Sequence, residues 1–345
     1  MARILVVRLS ALGDVAMLVP AICSVAAKYP QDRFTVLTRA AYAPLFQNLG
    51  FNINVMPFNP KKHSGVLGFF KVLKRLIKKD FTHVADTHDV LRSKGFRYAL
   101  RMMGKRVSYI DKGRAEKQNF VDSKIAKKPL KTSTERYMDV FSDLGFPAEY
   151  SFTNFFTFTE RNFYLLRSIV GEEEKTGKWI GIAPFAKHAE KTYSLKKMEN
   201  VVRALTANPE NRIFLFGAKK DEAVLNMWCT KYPNTQSMVG KFSLATEMLL
   251  ISYLDVMVSM DSANLHLASL VEVPVVSIWG ATHPYMGFYD LNQDINNAVY
   301  EEIDCRPCSV YGNVPCIRYE HMKCMKILPS QKVLDKVTSI LNKQA

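Results

Sequence analysis

Short apolar runs alternate with stretches of helical periodicity along the chain. In the first half, the apolar runs cover residues 2–9, 33–40, 52–58 and 82–89. Strands that are apolar throughout are typical of parallel sheets that helices cover on both faces. The first half is therefore predicted to form a Rossmann-like α/β domain.

The same alternation restarts after a polar, glycine-containing break at residues 171–178. Apolar runs follow at residues 178–185, 211–218, 254–262 and 273–281, again with helical stretches between them. This predicts a second α/β domain of the same kind. Ligands of such sheets bind beyond the carboxyl ends of the strands, so polar residues at those ends are candidates for function.

The length of the chain agrees with two domains, because 345 residues exceed what one hydrophobic core usually organises. We place an N-terminal domain at residues 1–165 and a C-terminal domain at residues 175–330. A helix over residues 331–345 is expected to pack back toward the N-terminal domain.

Composition is ordinary for a soluble globular protein, with 48% hydrophobic and 23% charged residues. No apolar window reaches the ~18 residues of a membrane span. Arg8 and Asp14 interrupt the first apolar run, which does not fit a secretory signal. We therefore expect a cytoplasmic protein.

The net charge of +15 indicates an anionic partner. Residues 61–79 hold seven Lys/Arg and no Asp/Glu, and apolar residues recur among them at helical spacing. Such a basic amphipathic helix either lies on an anionic membrane surface or is a surface helix whose lysines are simply solvated. Nucleic acid is not expected, because no recognition motif accompanies the charge. The basic excess continues in Lys105, Arg106, Lys112, Arg114, Lys117, Lys124, Lys127, Lys128 and Lys131.

A carboxylate lies at the predicted boundary between the first strand and the helix that follows it. The stretch SALGDVAM at residues 10–17 places Asp14 between two apolar segments. On its own, an acidic residue at this point is as easily a helix cap as a catalytic group.

The stretch SMDSANLHLAS at residues 259–269 is the strongest signal for a ligand. An apolar strand ends at Asp261, and a helix begins at once with Ser262 and Ala263. The open N–H groups and dipole of such a helix favour a phosphate, and His266 lies about one turn further on. The alternative is an ordinary cap with a packed histidine.

Two further strand ends carry polar groups. In residues 184–198, Lys191 could neutralise a diphosphate leaving group or be merely solvated. In residues 214–222, Gly217 closes a strand, and Glu222 could bind ribose hydroxyls or serve the helix dipole. The chain lacks the dinucleotide glycine fingerprint and the P-loop, which disfavours nicotinamide oxidoreductases and nucleoside triphosphatases.

Four of the six cysteines lie close together in the sequence, near the C-terminal end. Four thiols in such a stretch could hold a structural zinc, although only the first pair has knuckle-like spacing, so zinc is not favoured. Cys23 and Cys229 are read as ordinary helix residues. The candidate cluster is Cys305, Cys308, Cys316 and Cys324.

In combination these motifs resemble glycosyltransferase family 9, the ADP-heptose:lipopolysaccharide heptosyltransferases and their relatives. The resemblance rests on RILVVRLSALGDVAMLVPAI, the Lys191 loop, the Gly217 to Glu222 turn, and DSANLHLAS followed by VPVVSIWGATHP. It covers nearly the whole chain in the family's order.

The resemblance implies the GT-B architecture, with two Rossmann-like domains facing across a cleft, and an inverting transfer that requires no cofactor or metal. It implies that Asp14 is the general base. Donor phosphate or sugar contacts fall on Lys191, Asp261, Ser262, Ala263 and His266, and nucleotide contacts on Gly217, Glu222 and Phe242. The loop reads KTYS where the family more often has a Trp-Pro after the lysine, so Lys187 remains an alternative to Lys191.

The most favoured reaction on this resemblance is transfer of heptose from ADP-heptose to the lipopolysaccharide inner core, at the inner face of the inner membrane. The basic N-terminal domain suits an anionic acceptor such as phosphorylated lipid A. A nucleotide-sugar-binding protein without transfer activity and a membrane-surface binding protein are the alternatives. Acceptor contacts are expected at Ser10, Asp86, Arg92 and Ser93.

Overall fold

The computed structural model describes residues 1–122, 128–316 and 320–343, so Lys124 and Lys127 of the basic group lie outside the described residues. The chain forms two compact units. The first unit comprises Met1–Lys112 and Lys131–Glu160, and the second comprises Gly113–Leu130 and Arg161–Ala345. Among the described residues, no helix has the length and apolar character needed to cross a bilayer.

The first unit is built on a five-stranded parallel sheet. Its strands are Arg3–Val7 (β1), Arg33–Arg39 (β2), Ile53–Phe58 (β3), His83–Asp86 (β4) and Arg106–Tyr109 (β5). The helices of this part of the chain are Leu12–Lys28 (α1), Gly65–Lys78 (α2), Leu91–Met102 (α3), Arg114–Asp122 (α4) and Ser133–Asp143 (α5). The strand order is β3-β2-β1-β4-β5, so β1 lies at the centre.

All four strands predicted in the first half are present, and most of their apolar residues are buried because helices cover the sheet. In the edge strand β3, Val55 is only partly buried and Pro57 is exposed. Two local expectations differ from the structure. The short helix expected after β2 is a 3₁₀ turn, Ala40–Phe46, which contains Pro44. The edge strand β5 was not expected, because its sequence RVSY is not an apolar run.

The second unit is built on a six-stranded parallel sheet. Its strands are Lys178–Ala183 (β6), Asn211–Leu215 (β7), Thr235–Ser237 (β8), Val256–Met260 (β9), Val275–Ile278 (β10) and Ala298–Val299 (β11). Its remaining helices are Tyr164–Val170 (α6), Leu195–Thr206 (α7), Glu222–Lys231 (α8), Leu244–Ile251 (α9), Ala263–Leu270 (α10), Lys323–Ile327 (α11) and Ser330–Lys343 (α12). The strand order is β11-β10-β9-β6-β7-β8.

The units differ from the predicted domain boundaries in two places. Helix α4 belongs to the second unit, where Lys117 lies 4.2 Å from the centre of the Phe288 ring and Phe120 packs on His283. The C-terminal helix α12, expected to pack toward the N-terminal domain, buries its apolar face in the core of the second unit. This face consists of Val333, Val337 and Ile340.

Each sheet has one point at which the strand order reverses. In the first unit it lies between β1 and β4, where Val7 pairs with Asp86. In the second unit it lies between β6 and β9, where Ala183 pairs with Ser259. The loops leaving the two strands diverge at such a point, and the crevice beyond the carboxyl ends is the usual ligand site of an open α/β sheet.

Candidate active site

Asp14 lies beyond the carboxyl end of β1, in the first turn of α1. Its Oδ2 accepts a hydrogen bond from the Ala11 N–H at 3.0 Å and pairs with the Arg8 guanidinium at 2.7 Å. The side chain therefore caps the helix, yet a third of its surface stays exposed. A carboxylate held in this way is oriented and accessible, as a general base must be.

Arg8 is a functional candidate that the sequence analysis missed. It is buried, it donates a hydrogen bond to the Thr87 carbonyl at 2.6 Å, and its guanidinium lies over the Tyr137 ring. Burial alone would lower the pKa of Arg8, but Tyr137 and Asp14 raise it above its ordinary value. A permanent cation thus stands beside the candidate base. The sequence did contain a signal for Arg8, since an arginine directly after a buried strand is unusual.

His88 completes the group at this strand end. Its Nε2 lies 3.4 Å from the Ser10 hydroxyl, and its Nδ1 lies 3.4 Å from the Leu9 N–H. Burial and then the positive charges of Arg8 and Lys112 lower the pKa of His88 to about 3. The imidazole is therefore neutral at physiological pH. We call Arg8, Ser10, Asp14 and His88 the Asp14 site.

The depressed pKa of His88 predicts a specific acid sensitivity. An unfolded histidine takes up a proton near pH 6.5, whereas His88 in the folded protein stays neutral down to about pH 3, so stability falls as the pH drops between these values. Between about pH 7.5 and about pH 5, we expect the free energy of unfolding of the wild type to fall by about 2 kcal/mol more than that of His88→Gln. Urea unfolding at both pH values measures this. An equal loss in the two proteins would contradict it.

Two of the expected acceptor residues are enclosed in the first unit. Asp86 is fully buried, pairs with Arg97 at 3.1 Å, and accepts hydrogen bonds from the backbone of the loop that follows β4. Ser93, also fully buried, exchanges hydrogen bonds with the Val90 backbone at the start of α3. The structure thus buries both side chains, which bond to the loop after β4 and to the start of α3, and their contact with an acceptor stays a prediction.

Arg92 and Ser10 remain at least partly accessible. Arg92 donates a hydrogen bond to the His63 carbonyl and lies over the Phe58 ring. Their contact with an acceptor stays a prediction.

In the second unit, Lys191 and Asp261 come together from the carboxyl ends of β6 and β9. The Lys191 ammonium lies 2.6 Å from Asp261 Oδ2, and the Thr282 hydroxyl donates to the same oxygen at 2.7 Å. The aliphatic part of the Lys191 side chain packs against Gly312: a Cβ at position 312 would lie 2.5 Å from Lys191 Cγ. Lys187, the alternative lysine, is exposed.

The start of α10 lies next to this ion pair in the sequence. Ser262 is in an extended conformation and its side chain makes no capping hydrogen bond, since its hydroxyl contacts Ser259 at 3.2 Å. The first-turn N–H groups, beginning at Ala263, are therefore not occupied by that side chain, and the positive end of the helix dipole attracts an anion. We call Lys191, Asp261, Ser262 and Thr282 the Lys191 site.

His266, one turn into α10, is held by a partner that the sequence analysis did not identify. Its Nδ1 lies 2.6 Å from Asp290 Oδ2, and both side chains are buried. The carboxylate fixes the orientation of the ring, so that Nε2 points away from Asp290.

The predicted nucleotide residues lie beyond β7 and β8. Gly217 follows β7 where a Cβ would meet Leu225 at 2.9 Å, so the glycine permits close packing of the turn on α8. Glu222 opens α8 and pairs with Lys219 at 2.6 Å. Phe242 is half-buried in the loop before α9. The role of these residues in nucleotide binding stays a prediction.

The four C-terminal cysteines are free thiols, each partly buried. Burial, and then the thiols of Cys316, Cys324 and Cys305, raise the pKa of Cys308 to about 11, which disfavours the thiolate. Over the described residues, which exclude 317–319, no group of three or more His, Cys, Asp or Glu side chains is placed to hold a metal ion. A zinc site in this cluster therefore gains no support.

The two α/β units, each with a parallel sheet and polar groups at its switch point, have the GT-B fold that solved heptosyltransferases share. A family model described as glycosyltransferase family 9 (heptosyltransferase) matches residues 69–315, more than half of the chain. The chain belongs to this family and is a glycosyltransferase.

Among curated relatives, the chain is 23% identical over 313 residues to the lipopolysaccharide core heptosyltransferase OpsX of Haemophilus influenzae. The match covers 86% of this chain and 84% of the relative. Lipooligosaccharide heptosyltransferase 2 of Campylobacter jejuni is 25% identical over 143 residues, which are 40% of this chain and 43% of the relative.

Solved structures share the fold at low sequence identity. ADP-heptose lps heptosyltransferase II of E. coli matches with a TM-score of 0.71 and 18% identity, covering 99% of this chain and all of the other. A family 9 glycosyl transferase of Veillonella parvula matches with a TM-score of 0.73 and 16% identity, covering 99% and 98%. These likenesses confirm the predicted fold class.

Proposed function

We propose that the protein transfers heptose from ADP-heptose to the inner core of lipopolysaccharide, with inversion at the anomeric carbon and without a metal. The observation that carries the proposal is the Lys191 site. There the Lys191 ammonium, held by Asp261, lies at the switch point of the second sheet, and the N-terminus of α10 has no side-chain cap. The names of the curated relatives support the sugar and the acceptor.

The Lys191 site has the chemistry needed to hold the donor diphosphate. The phosphate displaces Asp261 as the partner of Lys191 and accepts hydrogen bonds from the first-turn N–H groups of α10. Asp261, still bound to Thr282, is then placed to accept from a sugar hydroxyl. Glu222 binds the ribose, Gly217 shapes the turn beside the nucleotide, and Phe242 lines the pocket of the base.

The Asp14 site has the chemistry needed to activate the acceptor. Asp14 takes the proton of the acceptor hydroxyl as that oxygen attacks the anomeric carbon of the donor. The bond between the anomeric carbon and the phosphate oxygen breaks, and ADP leaves with its charge met by Lys191 and α10. Arg8 stabilises the ionised form of Asp14, and attack from the face opposite ADP gives inversion.

The charge of the protein fits an anionic acceptor presented at a membrane. The net charge is +15, and the seven Lys/Arg of residues 61–79 are all exposed. Phosphorylated lipid A and the acidic sugars attached to it carry the opposite charge. We therefore place the enzyme in the cytoplasm, peripherally at the inner face of the inner membrane.

A transfer assay with a truncated lipopolysaccharide acceptor tests the proposal. We expect product from ADP-heptose, little from ADP-, GDP- or UDP-linked hexoses, an inverted anomeric configuration by NMR, and an unchanged rate in EDTA. Binding of ADP-heptose without any product would favour the nucleotide-sugar-binding alternative. Loss of activity in EDTA that added metal restores would refute the metal-independent reaction.

A further inference from the structure

The surface formed by α2 and α3 exposes apolar side chains that a globular surface seldom leaves together. On α2, Val66, Phe70 and Ile77 follow one another at spacings of four and seven residues, so they form one stripe along the helix. All three are exposed, and Leu67 beside them is 87% exposed. The opposite side of the helix is buried against the sheet.

Helix α3 carries a second stripe of the same kind. Leu91, Tyr98 and Met102 follow at spacings of seven and four residues, and Leu91 and Met102 are each 90% exposed. The two helices pack side by side, because Phe69 of α2 stacks on Phe96 of α3 with ring centres 4.8 Å apart. The stripes therefore lie on neighbouring helices, and we call their exposed residues together the α2–α3 face.

Positive charge surrounds these stripes. Residues 61–79 contain seven Lys/Arg and no Asp or Glu. Residues 91–109 contain six more, but Lys94, Arg97 and Lys105 pair with carboxylates outside that segment, so α2 carries most of the unpaired charge. Among the described residues, none of the seven basic side chains of residues 61–79 forms an ion pair. Burial lowers the pKa of His63 near these residues, and the positive charges of Arg75, Lys71, Arg92 and Lys62 lower it further.

Exposed apolar residues set among unpaired lysines complement an anionic lipid bilayer, which offers acyl chains behind negative headgroups. We propose that the α2–α3 face docks on anionic phospholipid, with Val66, Leu67, Phe70, Leu91 and Met102 entering the headgroup layer. The inference deepens the membrane location proposed above by naming the surface and its partner. A second copy of the chain would gain nothing from the lysines, because like charges would meet.

Sedimentation with vesicles tests the proposal without donor or acceptor. The vesicles contain phosphatidylcholine alone, or phosphatidylcholine with about one third phosphatidylglycerol, and no lipopolysaccharide. We expect binding only to the anionic vesicles, and weaker binding at high salt. Lys71→Gln/Lys74→Gln/Lys78→Gln should bind about 100-fold more weakly. Leu67→Gln/Met102→Gln should bind about 10-fold more weakly and keep its salt dependence.

Matched changes on the second unit serve as controls. Lys196→Gln/Lys220→Gln/Lys241→Gln removes the same charge, and Leu165→Gln/Met227→Gln removes exposed apolar side chains. Both should bind like the wild type. Equal loss in the controls, equal binding to neutral vesicles, or no vesicle binding would overturn the proposal. The proposal would also be overturned if the α2–α3 variants changed the oligomeric mass of the protein but not its binding to vesicles. Transfer to a detergent-solubilised acceptor tests the catalytic proposal separately, so either can fail alone.

Discussion

Asp14→Asn is expected to lower kcat by about 100-fold or more, because an amide cannot take the proton of the acceptor hydroxyl. The amide has the shape of the carboxylate and its oxygen can still accept from the Ala11 N–H, so the cap of α1 is kept. Donor affinity should stay within about 2-fold, because the predicted donor groups lie in the second unit. Initial rates and calorimetric titration with ADP measure the two effects.

The structural cost of this substitution has to be separated from the chemical one. Arg8 is buried and loses its charged partner in Asp14→Asn, so the melting temperature should fall. Rates are therefore compared well below the melting temperature of the variant. Asp139→Asn makes the same chemical change at an exposed position of the first unit, where the carboxylate pairs with Lys131, and should leave the rate unchanged. A near wild-type rate for Asp14→Asn would exclude Asp14 as the base.

The sequence predicts the central strands well because parallel strands buried on both faces must be apolar throughout. Strand β1 and strand β9 are such runs, and the structure buries them nearly completely. The edge strand β8 reads TQS and leaves no such signal. The place of α4 in the second unit depends on contacts with Phe288 and His283, far away in sequence, so no local pattern reveals it.

The candidate site shows the same limit. Asp14, Lys191 and Asp261 can be proposed from sequence because each follows an apolar strand. Within the second unit, the switch-point rule brings the ends of β6 and β9 together, and with them Lys191 and Asp261. Thr282 and Asp290 cannot be proposed from sequence, because their links to Asp261 and His266 span 21 and 24 residues and exist only once the chain has folded.

Position after a strand also does not show what a carboxylate contacts. Asp86 ends β4 as a candidate should, but its carboxylate turns inward to Arg97 and to backbone N–H groups of its own loop. The sequence does not reveal this buried ion pair, because its contacts exist only in the folded chain, and a contact of Asp86 with the acceptor stays a prediction.

Lys191→Ala is expected to lower kcat/KM by about 100-fold or more, because it removes the cation that meets the charge developing on the departing ADP. The affinity for ADP should fall as well, since the product carries the same diphosphate. Steady-state kinetics and calorimetry measure both. Lys187→Ala is the matched control: this lysine lies in the same loop but is exposed, and its loss should cost only a few-fold, as for a screened surface charge.

The contacts of Lys191 in the free protein decide how the outcome is read. Its removal leaves the buried Asp261 without its cation and, within the described part of the chain, with Thr282 as its remaining side-chain partner, so stability should fall together with activity. Lys191→Arg separates the two effects, because it keeps the charge for Asp261 but moves it relative to the phosphate. We expect the arginine variant to recover most of the stability and only part of the rate. If Lys187→Ala instead showed the larger loss, the exposed lysine would be the phosphate ligand and the Lys191 pair with Asp261 a structural contact.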